Sequence, residues 1–283
     1  MFNNLKVIEL ASVLAGPSVG QFFAELGAEV IKIENPKSNG DVTRSWKLSS
    51  EDENSDISAY FSAINWGKKS VVLDITKPEE LNQLYGLIKN ADIVIASYKP
   101  GDAQILKVDY ETLKIINPGI IYGHITGYGL NSPRLGYDAI IQAESGFMYM
   151  NGERGANAVK MPVALIDILA SHQLKEAILI ALINRKNTNV GAYLHVSLIN
   201  AAIASLANQA SNYLVGNVIP QRVGSEHPNI VPYGSQFTTK DGFQIVLAVD
   251  KLIGIKTFIA EGLNINSNLC SPPHLGEHNN ELI

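Results

Sequence analysis

Four nearly unbroken apolar runs, LKVIEL (residues 5–10), EVIKIE (29–34), SVVLDI (70–75) and DIVIAS (92–97), restrict the fold of this chain more than any other feature. A strand with one wet face alternates apolar and polar residues, whereas a strand covered on both faces reads as a continuous apolar run. Helical patterns separate the runs: GPSVGQFFAELGA follows the first, and a segment from about Pro78 to Lys89 precedes the fourth. This alternation predicts α/β architecture, a Rossmann-like parallel sheet with flanking helices from residue 1 to about 130. GIIYGHIT (119–126) adds a strand, and the Gly- and Pro-containing loop GYGLNSPRLGY (127–137) behind it is placed to wall a site. Helices are expected at about 138–147 and 164–186. AYLHVSL (192–198) reads as a strand, the stretch from there to about Val215 as one long packed helix, and DGFQIVLAV (241–249) as a strand.

With 283 residues, 46% hydrophobic and 17% charged, the chain supports one large core or two domains. A formal charge of −5 with scattered basic residues argues against a broad nucleic-acid surface. The single Cys270 excludes an internal disulfide framework and a multi-cysteine metal site, and it fits a reducing compartment. The six histidines lack metal-ligand spacing, so no metal is expected. MFNNLKVIEL has no basic stretch leading into a long apolar one, and polar residues interrupt the longest apolar segments. The expectation is a cytoplasmic protein with no membrane span.

Asp167 is a lone carboxylate in apolar sequence, MPVALIDILASHQLKEAILIALINRK, where a long helix begins. Burying an ionised carboxylate is costly unless donors or positive charge compensate it, and the free amides of a helix N-terminus supply both. From the local pattern alone the residue is either a helix cap or satisfied core polar group, or a reactive acid.

The loop after the first strand, before GPSVGQFFAELGA, is a natural place for phosphate or adenosine, yet it carries neither G-x-G-x-x-G nor G-x-x-x-x-G-K-[ST]. An NAD-type or Walker-type site is unsupported. Glu34, closing the second strand, is either a ribose ligand or simply surface.

Eight blocks now carry a resemblance: VLAGPSVGQFFAELGAEVIKIENP, GDVTRSW, NWGKKSVVLDI, ADIVIASYKPG, LGYDAIIQAESGFM, the Asp167 stretch, HPNIVPY and PPHLGEHNNEL. In sequence and order they resemble the family III CoA-transferases, the CaiB/BaiF group, which includes formyl-CoA:oxalate CoA-transferase and, as a divergent branch, α-methylacyl-CoA racemase. The resemblance covers residues 5 to about 250 and then the extreme C-terminus. It implies acyl-CoA and carboxylic acid substrates, with coenzyme A as co-substrate and no metal. It also implies that Asp167 is the nucleophile, attacking the acyl-CoA thioester to give a mixed anhydride and CoA thiolate. A desolvated, oriented carboxylate gains reactivity from proximity.

Racemases of this family carry a histidine before the position of Asp138, whereas this chain has Tyr137. A phenol is a poor substitute for imidazole as a general base at neutral pH, so the transferase reading is preferred over the racemase one. The resemblance places CoA contacts at Leu14 and Ala15, at Asn35, at Leu73, Asp74, Ile75 and Thr76, and at Ser97, Tyr98 and Lys99. These sit at strand C-terminal ends, with Tyr98 suited to stack on adenine and Lys99 and Arg134 to neutralise phosphate. Tyr137 either lines the CoA channel or packs as a core aromatic. Two positions depart from formyl-CoA transferase: a cation is replaced by Ile105 and a glutamine by Leu14. Gly224, Ser225, Glu226 and His227, followed by Pro228, match a flexible glycine-bearing loop over the thioester.

Between AVDKLIGI and PPHLGEH the family normally has a smaller domain, almost all of it missing from this sequence. The expectation is a large Rossmann-like CoA-binding and catalytic domain at 1–240, then a 241–283 remnant of the small domain and a C-terminal segment that returns to the large one. In the family two such chains interlock as a homodimer. The third reading is therefore a catalytically impaired CoA-binding or assembly protein.

Overall fold

A computed structural model describes residues 2–230, 233–248 and 273–283. Cys270 and the segment IKTFIAEGLNINSNLC lie outside the described residues. The described chain forms two compact units, one of residues 2–138, 164–201 and 273–283, the other of 139–163, 202–230 and 233–248. The first 240 residues contribute to both.

The first unit is built on β1 (Lys6–Leu10), α1 (Ala15–Glu25), β2 (Glu29–Glu34), α2 (Ala59–Ser62), β3 (Lys69–Val72), α3 (Pro78–Ile88), β4 (Ile93–Ala96), α4 (Asp102–Ile105), α5 (Tyr110–Ile116) and β5 (Ile121–Thr126). After β5 the chain forms α6 (Asp138–Glu144) and α7 (Phe147–Met150), then α8 (Leu165–Thr188), β6 (Ala192–Ser197), α9 (Leu198–Ala204) and α10 (Asn208–Leu214). The hairpin β7 (Tyr233–Thr238) and β8 (Gln244–Ala248) belongs to the second unit, and α11 (Asn279–Leu282) to the first.

All six strands of the main sheet are parallel, in the order β3-β2-β1-β4-β5-β6. Strand order therefore reverses between β1 and β4, which opens a crevice beyond the carboxyl ends of the strands. On one sheet face, Ile8, Ile31, Val71, Val94 and Tyr122 pack with Leu84 and Ile88 of α3, Ala103 of α4 and Leu113 of α5. On the other face lie α1 and α8. Gly123 turns toward α8 there, and a Cβ added to it would stand 3.1 Å from Leu174 and 3.2 Å from Ile178.

The apolar runs of β1 to β3 hide a polar stripe. Glu9 pairs in register with Lys32, and Lys32 with Ser70, so the period-two alternation places them side by side on the face shared with α1. Gly20 of α1 makes room for this stripe, since a Cβ there would come within 1.9 Å of a Glu9 carboxylate oxygen.

Edge strand β3 is covered by the C-terminal residues. Ser70 donates its amide to His278 Nδ1 and accepts from the His278 amide, while Val72 exchanges hydrogen bonds with the Asn279 side chain. The edge donors and acceptors that would otherwise template pairing with another chain are thereby used.

The stretch after β6 is not one helix to Val215. It breaks at Ala207, whose φ of 49° is left-handed, between α9 and α10. No Gly or Pro marks the break in sequence. The helix expected at about 138–147 likewise ends early, and Gly146 at φ 92° starts α7 separately.

In the second unit, Arg222 donates to the carbonyls of Tyr149 and Ala156, and Arg154 pairs with Glu226 at 2.7 Å. Among the described residues no helix is long and apolar enough to cross a membrane.

Candidate active site

Asp167 stands in the first turn of α8 and is only 7% exposed. The helix starts at Ala164 without a side-chain cap of its own. The cap comes from elsewhere: Asp138 Oδ2 accepts the amides of Ile166 at 2.7 Å and Asp167 at 3.3 Å. The amides expected to compensate Asp167 are thus spent on a second carboxylate. Burial, followed by the charge of Asp138, pushes the Asp167 carboxyl up to about 7. Among the described residues no hydrogen bond to the Asp167 carboxylate offsets these effects. A carboxylate desolvated and left without a donor in this way has the surroundings in which reactive acids are found.

Tyr60 connects this carboxylate with the mouth of the sheet. Burial raises its phenol first, and the charges of Asp167, Asp138 and Asp41 raise it further, so all three acids lie within electrostatic range of one side chain. Trp46 packs edge-on against its ring at 5.0 Å. Downstream on α8, Lys175 lies 3.3 Å from the Ser18 hydroxyl, and Ser171 Oγ lies at the same distance from Ser18 Oγ.

Asp41 lines a cleft of about 350 Å³ at the carboxyl ends of β1 to β4. Of the residues expected at a CoA site, Asn35, Leu73, Asp74, Ile75, Thr76, Ser97 and Tyr98 line this one cleft. Leu14, Ala15, Lys99, Arg134 and Tyr137 do not. Leu14 and Ala15 open α1. Lys99 is exposed, and Arg134 lies over the Tyr128 ring at 3.9 Å while donating to its hydroxyl. Tyr137 is 62% exposed rather than a core aromatic. Gly224, Ser225, Glu226 and His227 lie in the second unit, where the His227 Nδ1 accepts the amides of Asn229 and Ile230.

Glu34 is neither surface nor free for a ribose. Arg44 grips its two oxygens at 2.6 and 2.8 Å, and Ser70 and the Asp41 amide donate to them as well. The floor of the cleft is in fact a buried ionic network. Glu9 is shared between Lys32 and Lys68 at 2.8 Å each, and Asp41 takes Lys32 at 2.8 Å. Burial works against both ammonium groups. For Lys32 the nearby Glu9, Asp41 and Glu34 more than reverse it, so its pKa rises. Lys68 has Glu9 close by and Lys32 repelling it, and its ammonium falls to about 8. A cation the sequence reading passed over reaches the cleft rim: Lys37 bonds Asp74 at 3.0 Å and the Thr76 hydroxyl at 3.1 Å. The hydrogen bond from Thr76 and then the Lys37 contact hold Asp74 down to about 2. The signal for Lys37 was its place, two residues beyond Asn35 in the loop after β2.

Fold and site together define an α/β protein with a Rossmann-ordered parallel sheet, a cleft at its carboxyl edge and a buried aspartate with a raised pKa at a helix start. The chain belongs to CoA-transferase family III, whose family model matches residues 2–260. It is 42% identical over 253 residues to a succinate–glutarate CoA-transferase of Agrobacterium fabrum, an alignment covering 87% of this chain and 62% of that protein. It is 36% identical to a human succinyl-CoA:glutarate CoA-transferase, covering 86% and 55% of the two chains. A CaiB/BaiF family protein from Brucella suis of known crystal structure superimposes with a TM-score of 0.78 at 40% identity, covering 87% of this chain and 65% of that one. The chain thus spans 55 to 62% of the length of these two named relatives.

Proposed function

We propose that this chain carries the chemistry of a CoA-transferase, moving CoA from an acyl-CoA donor to a carboxylic acid acceptor through Asp167. The observation that carries the reading is the buried Asp167 carboxylate, raised to about 7 and bonded by no protein donor among the described residues. Family membership and the names of the relatives support it.

In this reading the ionised Asp167 oxygen attacks the thioester carbonyl. The C–S bond breaks, leaving an aspartyl mixed anhydride and a CoA thiolate. The thiolate attacks the aspartyl carbonyl and expels the donor acid, giving an aspartyl thioester. The acceptor carboxylate then displaces the thiolate and forms a second anhydride, and the thiolate takes the new acyl group from it, returning Asp167 as carboxylate. Each step passes the charge between a carboxylate and a thiolate, so no redox partner is required. Asp167 ionises as pH rises through about 7, and the low polarity that raises its pKa also strengthens its nucleophilicity.

The cleft at the ends of β1 to β4 is assigned to CoA, with Tyr98 at the adenine and Lys37 and Lys99 at phosphate. Succinyl-CoA as donor and a small dicarboxylate as acceptor follow from the names of the relatives. Residues 241–283 are read as the small-domain remnant and returning segment. Two copies are proposed to pair through the α/β unit, because Ile180 and Ile183 of α8 are 68% and 69% exposed. A stable monomer in size-exclusion chromatography with light scattering would remove that part.

The test of the chemistry is intact-protein mass spectrometry after incubation with succinyl-CoA and hydroxylamine. A hydroxamate on Asp167 in the wild type, absent from Asp167→Ala, is expected. No adduct with succinyl-CoA or other acyl-CoAs, while the cleft still binds CoA, would leave a binding protein that keeps the fold without the reaction.

A further inference from the structure

A second cavity of about 350 Å³ in the first unit shares no lining residue with the cleft. Three tyrosines line it: Tyr110 at the start of α5, Tyr122 of β5 and Tyr193 of β6. Tyr122 and Tyr193 stack at 5.9 Å between centroids, and Tyr110 stands 5.7 Å from Tyr193 and 6.3 Å from Tyr122. Tyr122 is 1% exposed, and its buried hydroxyl has no hydrogen-bond partner among the described residues.

The polarity of the cavity follows from His124. Its Nε2 lies 3.0 Å from the Tyr98 carbonyl oxygen, which only accepts, so Nε2 carries the proton. Nδ1 then accepts from the Tyr193 hydroxyl at 3.0 Å, leaving the Tyr193 oxygen with lone pairs to offer. Burial holds His124 below its ordinary range, so the ring is neutral at pH 7. The lining contains no lysine or arginine but does contain Asp109 and Glu111. Glu111 is paired with Lys114, while Asp109 caps α5 through Thr112. A cation already favours this aromatic group, since the Lys114 ammonium lies 5.4 Å from the Tyr110 centroid. The phosphates of CoA and the anionic acids of the proposed reaction are repelled by such a lining. A positive nitrogen is attracted to the ring faces and the acid, and an N–H group finds the accessible Tyr193 oxygen.

We propose that this cavity is a binding site for a small alkylammonium ion, held by Tyr110, Tyr122 and Tyr193 with Asp109 opposing its charge. The site is independent of the chemistry at Asp167.

Titration calorimetry with n-butylammonium chloride, at ionic strength matched with sodium chloride, tests it, with n-butanol as the uncharged counterpart. Saturable binding of butylammonium and none of butanol is expected. Tyr193→Phe, which keeps the ring, should weaken butylammonium at least fivefold but leave tetramethylammonium, which has no N–H, within twofold. Asp109→Asn, which retains a capping side chain, should weaken both ions. No saturable uptake of butylammonium, equal uptake of butanol, or an unchanged affinity in Tyr193→Phe would each overturn the assignment.

Discussion

Asp138 caps the helix whose first turn carries Asp167, its Oδ2 atom lying 2.7 Å from the Ile166 nitrogen and 3.3 Å from that of Asp167. One carboxylate thereby takes the donors that would have quieted the other, and its own charge adds to the effect of burial. Cap and perturbation come from one side chain, and substitution can separate them.

Asp138→Asn keeps an acceptor at the helix start and removes the charge. The Asp167 titration, followed by carboxyl-carbon NMR, should move down from about 7 by roughly one unit. Asp138→Ala also loses the cap and should cost about 1 kcal/mol in urea unfolding. An Asp167 midpoint unchanged in Asp138→Asn would mean that burial alone sets it.

Asp167 should give the protein a pH-dependent weakness. Its folded pKa lies above the ordinary 3.8, so its contribution to stability is complete below about 4 and is lost as pH rises toward 7. Asp167→Asn does not titrate. It should match the wild type in thermal melts near pH 4 and exceed it by roughly 1–3 kcal/mol at pH 8. Acylation by succinyl-CoA should show the opposite trend, rising through pH 7 as the carboxylate ionises.

Glu9 ties two buried lysines, Lys32 and Lys68, at 2.8 Å each. Glu9→Ala strips Lys68 of its carboxylate and leaves Lys32 with Asp41 alone, and chemical denaturation should register a loss of about 3–5 kcal/mol. Gly20→Ala should destabilise at the same point, because the new methyl meets the Glu9 carboxylate.

Asn279 closes the β3 edge, accepting the Val72 amide at 2.7 Å and donating to its carbonyl at 3.2 Å. Asn279→Ala should cost about 1–2 kcal/mol and increase light scattering on warming, as the strand edge is released. Melting and scattering curves that overlay those of the wild type would show that His278 and its neighbours suffice.

The sequence by itself determined the α/β class, the six strands of the parallel sheet and the position of Asp167, because a strand buried on both faces must be apolar throughout and an acid at a helix start stands out against apolar neighbours. Most of the expected cleft positions were also legible, since they fall where strands end. Tertiary structure decided the rest. Glu9, Lys32 and Ser70 look like interruptions in separate runs, and only the register of β1, β2 and β3 makes them neighbours. Glu34 became a buried partner of Arg44 because the chain after β2 folds back over it. The break at Ala207 carries no local signal, and Lys37 gained its place by reaching Asp74 across the sheet. The raised carboxyl of Asp167 depends on its burial and then on Asp138, twenty-nine residues earlier. A pattern in one segment records what that segment must bury, whereas a charge is set by whatever the fold brings beside it.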